Sequence, residues 1–229
     1  MPGTYAAVTH VLFDLDGLLI DSETFYEKII GDIAGQYGKK YTKEVRARIL
    51  GTPEMMTSQL AVELMELPLT PEEFFLRMRK GVEAELHNPP LLPGAEKLIR
   101  HLAKHKIPFA MATSGSKEAT DIKLQSSAEL FNLFHHKVMG SSDAEVKKGK
   151  PNPDIFLVCA QRFPDPPNPS KCLVFEDAPN GVKAAVAAGM QVVMVPSDEI
   201  SDELKEGATL VLQSLEQFHP EEFGLPKFD

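Results

Sequence analysis

Cysteine is scarce in this 229-residue chain, with two in all. Cys159 and Cys172 sit in apolar surroundings without Cys-x-x-Cys or zinc-ligand spacing, which predicts reduced, buried thiols and excludes a disulfide framework. No apolar stretch approaches the ~18 residues that a membrane span needs, and the opening residues lack the cationic start and apolar core of a secretory leader. These absences point to a cytoplasmic protein with no membrane partner. Positive charge is also in deficit: 24 Lys and Arg stand against 33 Asp and Glu, for a formal net charge of -9. A chain of that sign repels phosphate backbones, and Lys147-Lys148-Gly149-Lys150 is too short for a nucleic-acid footprint. No repeat or low-complexity stretch is evident, so the expected partner is a small molecule. A chain of this size can fold alone, and a monomer fits it.

What is present is a series of short apolar runs that end in polar clusters. His10 to Phe13 runs into Asp14-Leu15-Asp16-Gly17, Ile107 to Ala112 into Thr113-Ser114-Gly115, and Val138-Met139 into Gly140-Ser141-Ser142-Asp143. Cys172 to Phe175 runs into Glu176-Asp177, and Gln191 to Val195 ends at Pro196. Each run reads as a buried strand. Helical patterns lie between them at Ala95 to Lys104, Lys117 to Leu124, Pro153 to Gln161 and Gly181 to Ala188. This alternation predicts an α/β fold: a Rossmann-like parallel sheet of five strands with helices on both faces, and ligands at the carboxyl ends of the strands.

From about Ser22 to Leu86 the pattern is helical throughout and too long for a simple crossover. Phe25, Ile29, Ile30, Ile33 and Tyr37 fall on one helical face, and Thr70-Pro71-Glu72-Glu73 has the form of a capping box. The stretch predicts an α-helical cap domain, residues 21–89, inserted into a core of residues 1–20 and 90–229. Leu18 to Asp21 and His87 to Gly94 flank it as candidate hinges.

The pattern Asp14-Leu15-Asp16-Gly17 carries the most chemistry. Alternate residues of an extended chain face one side, so Asp14 and Asp16 can reach a shared ligand. Carboxylates about 5 Å apart repel by about 3 kcal/mol at an effective dielectric of about 20, which calls for a cation, and magnesium suits all-oxygen ligation and phosphate substrates. Taken alone, the tetrapeptide is also compatible with a solvated turn whose aspartates cap a helix.

Taken with Thr113-Ser114, Lys150 and Glu176-Asp177, in that order, it resembles the four motifs of the haloacid dehalogenase-like hydrolases, over nearly the whole chain. The resemblance implies that Asp14 is a nucleophile that accepts a phosphoryl group as an aspartyl-phosphate, and that Asp16 is the general acid and base. Thr113 and Ser114, before a helix, would bind phosphate oxygens. Lys150 would neutralise charge developing on the phosphoryl group and hold Asp14. Asp14, Asp16 and Asp177 would hold Mg2+, with Glu176 behind them.

The helical insert also resembles that of beta-phosphoglucomutase and small sugar-phosphate phosphatases. A mutase supplies a histidine and an arginine where this chain has Tyr26 and Glu54, which favours hydrolysis by water. Whole-chain similarity within the family implies a C-glycosidic nucleoside monophosphate as substrate. Tyr26, Glu54 and Met55 are the candidates for base selection. A non-catalytic phosphate-binding module is the alternative from another class, although such a relative would be expected to lose Asp14, Asp16 or Lys150.

Other features read as structural. His101 and His105 look like residues of a solvated helix face, His135-His136 like loop residues, Met55-Met56 like packing within the insert, and Glu221 to Asp229 like a loosely held tail.

Overall fold

The computed structural model describes residues 5–49, 52–198 and 200–229. The short apolar runs become strands because both of their faces find cover. These are β1 (His10–Phe13), β2 (Phe109–Thr113), β3 (Lys137–Met139), β4 (Cys172–Glu176), β5 (Gln191–Met194) and β6 (Leu210–Val211). All the pairings are parallel, and the order across the sheet is β3-β2-β1-β4-β5-β6. The sixth strand was not expected; two residues carry no periodicity to detect. In β1, Val11 and Phe13 enter the apolar layer on one face while Leu12 enters the layer on the other, as the two-residue side-chain period requires.

One layer packs under α5 (Ala95–Lys104); α6 (Lys117–Leu124) and α7 (Ala128–Phe131) also lie between β2 and β3. The opposite layer packs under α8 (Asp154–Gln161) and α9 (Pro179–Ala187). Between β1 and β2 lie α1 (Glu23–Gly35), α2 (Lys43–Ile49), α3 (Glu54–Met65) and α4 (Pro71–Glu85). These helices share an apolar cluster of their own, built on Ile29, Ile30, Ile33, Phe74, Met78 and Val82. The capping box at α4 forms, with Glu73 N–H donating to Thr70 Oγ1 at 3.2 Å and Thr70 N–H to Glu73 Oε2 at 2.9 Å. The two connections between the insert and the rest run side by side. Leu92 N–H donates to the Leu19 carbonyl at 3.0 Å, Asp21 N–H donates to that of Pro90 at 2.8 Å, and Ile20 bridges antiparallel to Leu91.

Three expectations from the sequence need correction. Met55 and Met56 do not pack inward; they are 46% and 48% exposed, because α3 turns Ser58, Ala61 and Met65 to the core. His101 does not face solvent: it is 6% exposed, lies 2.8 Å from the Pro226 carbonyl and packs on Phe228 at 4.5 Å between ring centroids. The partner that covers it is the C-terminal segment, which is not loose. Phe223 is fully buried, stacks on Tyr5 at 4.5 Å and contacts Phe218, and Val8 N–H donates to its carbonyl at 3.0 Å. The apolar residues of this segment are spaced irregularly, so no helical or strand period announced them.

Phe223→Ala is therefore expected to destabilise the protein by about 3–5 kcal/mol in urea unfolding. A loss below about 1 kcal/mol would mean that the tail adds nothing to the core.

Candidate active site

Three strand ends converge on one cleft of about 680 Å3, part of it open to solvent. Asp14 and Asp16 follow β1, Thr113 ends β2 with Ser114 and Gly115 after it, and Glu176 ends β4 with Asp177 next. Parallel pairing in register brings these ends together, since Phe13 lies opposite both Met111 and Phe175. Gly17 allows the chain to turn away immediately. Its φ is +80°, and a Cβ there would lie 2.4 Å from Asp177 Oδ2, so the tight turn after the carboxylates demands glycine.

Lys150 reaches this point from the segment before α8. Its side chain is 1% exposed, and its ammonium donates to Asp14 Oδ1 at 2.5 Å, Glu176 Oε1 at 2.5 Å and the Ala112 carbonyl at 3.2 Å. All three of its hydrogens are thereby used. Glu176 is equally committed, because its Oε2 accepts from the Asp177 and Ala178 backbone N–H groups at 3.2 Å each. The α9 backbone must come close to permit this: a Cβ on Gly181 would lie 1.8 Å from Glu176 Cδ.

Asp14, Glu176 and Asp177 each offer a carboxylate oxygen within 4.8 Å of the others. One ammonium among three buried carboxylates leaves two negative charges uncompensated, a charge and donor set suited to a hard divalent cation. The electrostatics register the imbalance. Burial, with repulsion from Glu176 and Asp16, raises the Asp14 pKa to about 7 against the pull of Lys150. Burial and the neighbouring Glu176, Asp14 and Glu23 raise Asp177 well above the usual carboxylate range.

The Asp16 carboxylate lies outside that cluster. Its Oδ1 accepts from Lys123 Nζ at 2.6 Å and from Ser22 Oγ at 2.5 Å, and its Oδ2 lies 3.4 Å from Thr113 Oγ1. Thr113 is buried, and Gly115 N–H donates to its hydroxyl at 3.2 Å. Ser114 lines the cleft, while Ser116 caps α6 by accepting from Ala119 N–H at 3.3 Å.

The opposite wall comes from the insert: Tyr26 and Ile30 of α1, Tyr41, Ile49, Thr52, Glu54, Thr57 and Met78. Met55, proposed from sequence to select the base, is not among the lining residues. Glu54 spans the cleft, accepting at Oε1 from Ser116 N–H and Oγ at 3.3 Å each. It thus places a negative charge at the N-terminus of α6, where the helix dipole favours one.

Sequence reasoning missed Ser22, Glu23 and Lys123. Lys123 sits in a pattern that reads as an ordinary solvated helix, and only its partner across the cleft sets it apart. Glu23 looks like a routine first-turn acid of α1, yet burial and Asp16 raise its pKa to about 7 despite Arg46 at 3.6 Å.

Residues 8–189 match the family model described as haloacid dehalogenase-like hydrolase. The chain is 51% identical over 221 residues to a probable pseudouridine-5'-phosphatase of Drosophila melanogaster, covering 96% of each. It is 42% identical to (DL)-glycerol-3-phosphatase 2 of Arabidopsis thaliana, over 97% of this chain and 94% of that one. In fold it is similar to the crystal structure of beta-phosphoglucomutase from Clostridium difficile, with a TM-score of 0.77 at 24% identity over 95% of this chain and 96% of that one.

A carboxyl whose pKa is raised in the fold binds more protons than in the unfolded chain. Its contribution to stability is therefore present at low pH and lost as pH climbs, for Asp14 between about 4 and about 7. Asp177 shifts in the same direction. Without divalent cations, Asp177→Asn is expected to be more stable than the unmodified protein at pH 8 by about 1 kcal/mol or more, with a smaller gain at pH 5. Urea unfolding at the two pH values checks this, and an equal difference at both would show that Asp177 does not strain the fold.

Proposed function

The chain belongs to the haloacid dehalogenase-like hydrolase family, and from that membership we propose that it is a magnesium-dependent phosphomonoesterase acting through an aspartyl-phosphate on Asp14. The observation that carries this reading is the cluster of Asp14, Lys150, Glu176 and Asp177 beside a cleft that Asp16 also enters. Asp14 and Asp177 are the carboxylates that would hold Mg2+; the Asp16 carboxylate, which the resemblance implies as a further ligand, lies outside that cluster and is held by Lys123 and Ser22. When bound, the ion supplies Lewis-acid charge neutralisation for the phosphoryl group and its nucleophile. Glu176, whose oxygens are already engaged, anchors Lys150 instead.

Lys150 holds the Asp14 carboxylate and offsets charge developing on the phosphoryl oxygens. The Thr113 and Ser114 region, at the strand end before α6, receives those oxygens. A carboxylate oxygen of Asp14 bonds to phosphorus as the ester oxygen departs, and Asp16 gives that oxygen its proton. Asp16 then takes a proton from water as the water oxygen attacks the aspartyl-phosphate. Phosphate leaves, and Asp14 is restored.

For the leaving group we favour the nucleoside of pseudouridine 5'-phosphate. The support is the 51% identity to a relative of that name, together with the Tyr26, Tyr41 and Glu54 wall, which offers flat apolar surface and a hydrogen-bond acceptor. Small polyol or sugar phosphates are the second reading, favoured by the 42% identity to a glycerol-3-phosphatase. A phosphoglucomutase-like course is disfavoured by Tyr26 and Glu54 at the positions where the resemblance calls for histidine and arginine. Residues 21–89 act in this reading as a cap over a core of residues 1–20 and 90–229, joined through the paired connections at Leu19 and Leu92.

Phosphate release from pseudouridine 5'-phosphate, uridine 5'-phosphate, glycerol 3-phosphate and beta-glucose 1-phosphate is expected to be highest for the first. It should fall to background with chelator and return with Mg2+. Asp14→Asn should lose at least about 10⁴-fold in kcat. Retained turnover in that variant would remove Asp14 as nucleophile, and isomerisation without phosphate release would replace the hydrolase with a mutase.

A further inference from the structure

Lys123 has no part in the steps above, yet it is among the most deeply buried polar side chains. Its side chain is 1% exposed, and its ammonium lies 2.6 Å from Asp16 Oδ1 and 5.0 Å from the centroid of the Tyr26 ring. A buried ammonium gives up several kcal/mol of hydration, so it persists only where a partner offsets the loss. That partner is Asp16 alone among the carboxylates of the cleft, since Lys150 serves Asp14 and Glu176. The Tyr26 ring over the ammonium adds a cation–π contact and shields the pair from water.

The geometry around Asp16 is asymmetric. Lys123 from α6 and Ser22 from the start of the insert both donate to Oδ1, whereas among the described residues Oδ2 has only the Thr113 hydroxyl, 3.4 Å away. An ammonium has hydrogens and no acceptor, so a proton placed on Oδ1 would oppose those of Lys123. Oδ2 is the oxygen left to carry one.

We propose that Lys123 is a positioning residue for Asp16, fixing the carboxyl so that Oδ2 performs both proton transfers. Oδ2 donates its proton to the ester oxygen as the bond from that oxygen to phosphorus breaks. It then accepts a proton from water as the water oxygen bonds to the phosphorus of the aspartyl-phosphate and the Asp14 oxygen leaves. This assignment rests on the phosphatase reading of the site.

The leaving group supplies the test. p-Nitrophenolate departs without a proton, whereas the alkoxide of an alkyl ester such as pseudouridine 5'-phosphate needs one. In rapid mixing with p-nitrophenyl phosphate, Lys123→Met is expected to release a burst of nitrophenolate equal to the enzyme, near the unmodified rate, followed by slow turnover. Its first step on the alkyl ester should slow by about 10²–10⁴-fold with KM little changed. Lys123→Arg should recover part of the loss, and Ser22→Ala, which removes the other donor, should shift the same ratio in the same direction by less. If Lys123→Met does not fold, Ser22→Ala carries the comparison. Equal slowing of both esters without a burst, or no slowing of either, would overturn the positioning role while leaving the phosphatase reading intact. An unmodified protein that released phosphate from neither ester would remove both.

Discussion

Burial of the Lys150 ammonium between Asp14 and Glu176 is the contact around which the rest of the architecture is arranged. Stripped of water, each of these charges is costly by several kcal/mol, and only their mutual placement offsets that cost. The requirement reaches outward. Glu176 must end β4 beside Asp14 at the end of β1, so the two strands must be adjacent and in register. The backbone of α9 must approach Glu176 so closely that only glycine fits at position 181. Even so, the ammonium covers one of the three negative charges in the cluster. The residual charge makes a structural network into a place where an oxygen-seeking cation and a phosphoryl group can be held.

Apolar packing supplies the rigidity that such a network needs. β1 and β4 are covered on both faces, and the Phe13 and Phe175 rings, one residue before Asp14 and Glu176, stack at 5.0 Å. Side chains set on the ends of fully packed strands have little room to drift. The insert has its own apolar cluster, which Ala119 of α6 joins, and it also makes polar contacts with the core such as Glu54 with Ser116 and Ser22 with Asp16. Polar contacts of this kind, partly exposed, separate more readily than an apolar core does.

The parallel sheet and its helices were legible because buried parallel strands are short apolar runs with polar ends, and the strand ends carry the site. Asp14, Thr113, Glu176 and Asp177 all lie where a run stops, whereas Lys150 comes from the segment before α8 and was found through the motif it completes. Lys123 was not legible: its neighbours in sequence are those of a solvated helix, and its partner lies 107 positions away along the chain. The same holds for His101, whose cover comes from residues 125 or so positions later, and for the tail that supplies it. Met55 and Met56 failed for a different reason. Two adjacent apolar residues on a helix point about 100° apart, and the phase of α3 was set by Ala61 and Met65.

The paired connections at Ile20 and Leu91 bring the two ends of the insert to one place. Two antiparallel segments laced by backbone hydrogen bonds form a narrow ribbon, and a ribbon bends across its flat face far more easily than within its plane. The four helices from α1 to α4 leave and re-enter the core through this one strip. Tyr26 and Glu54, which stand on two different helices between those connections, line one cleft with the strand ends, so a single short strip of chain carries both the ring and the carboxylate to the carboxylates of the core.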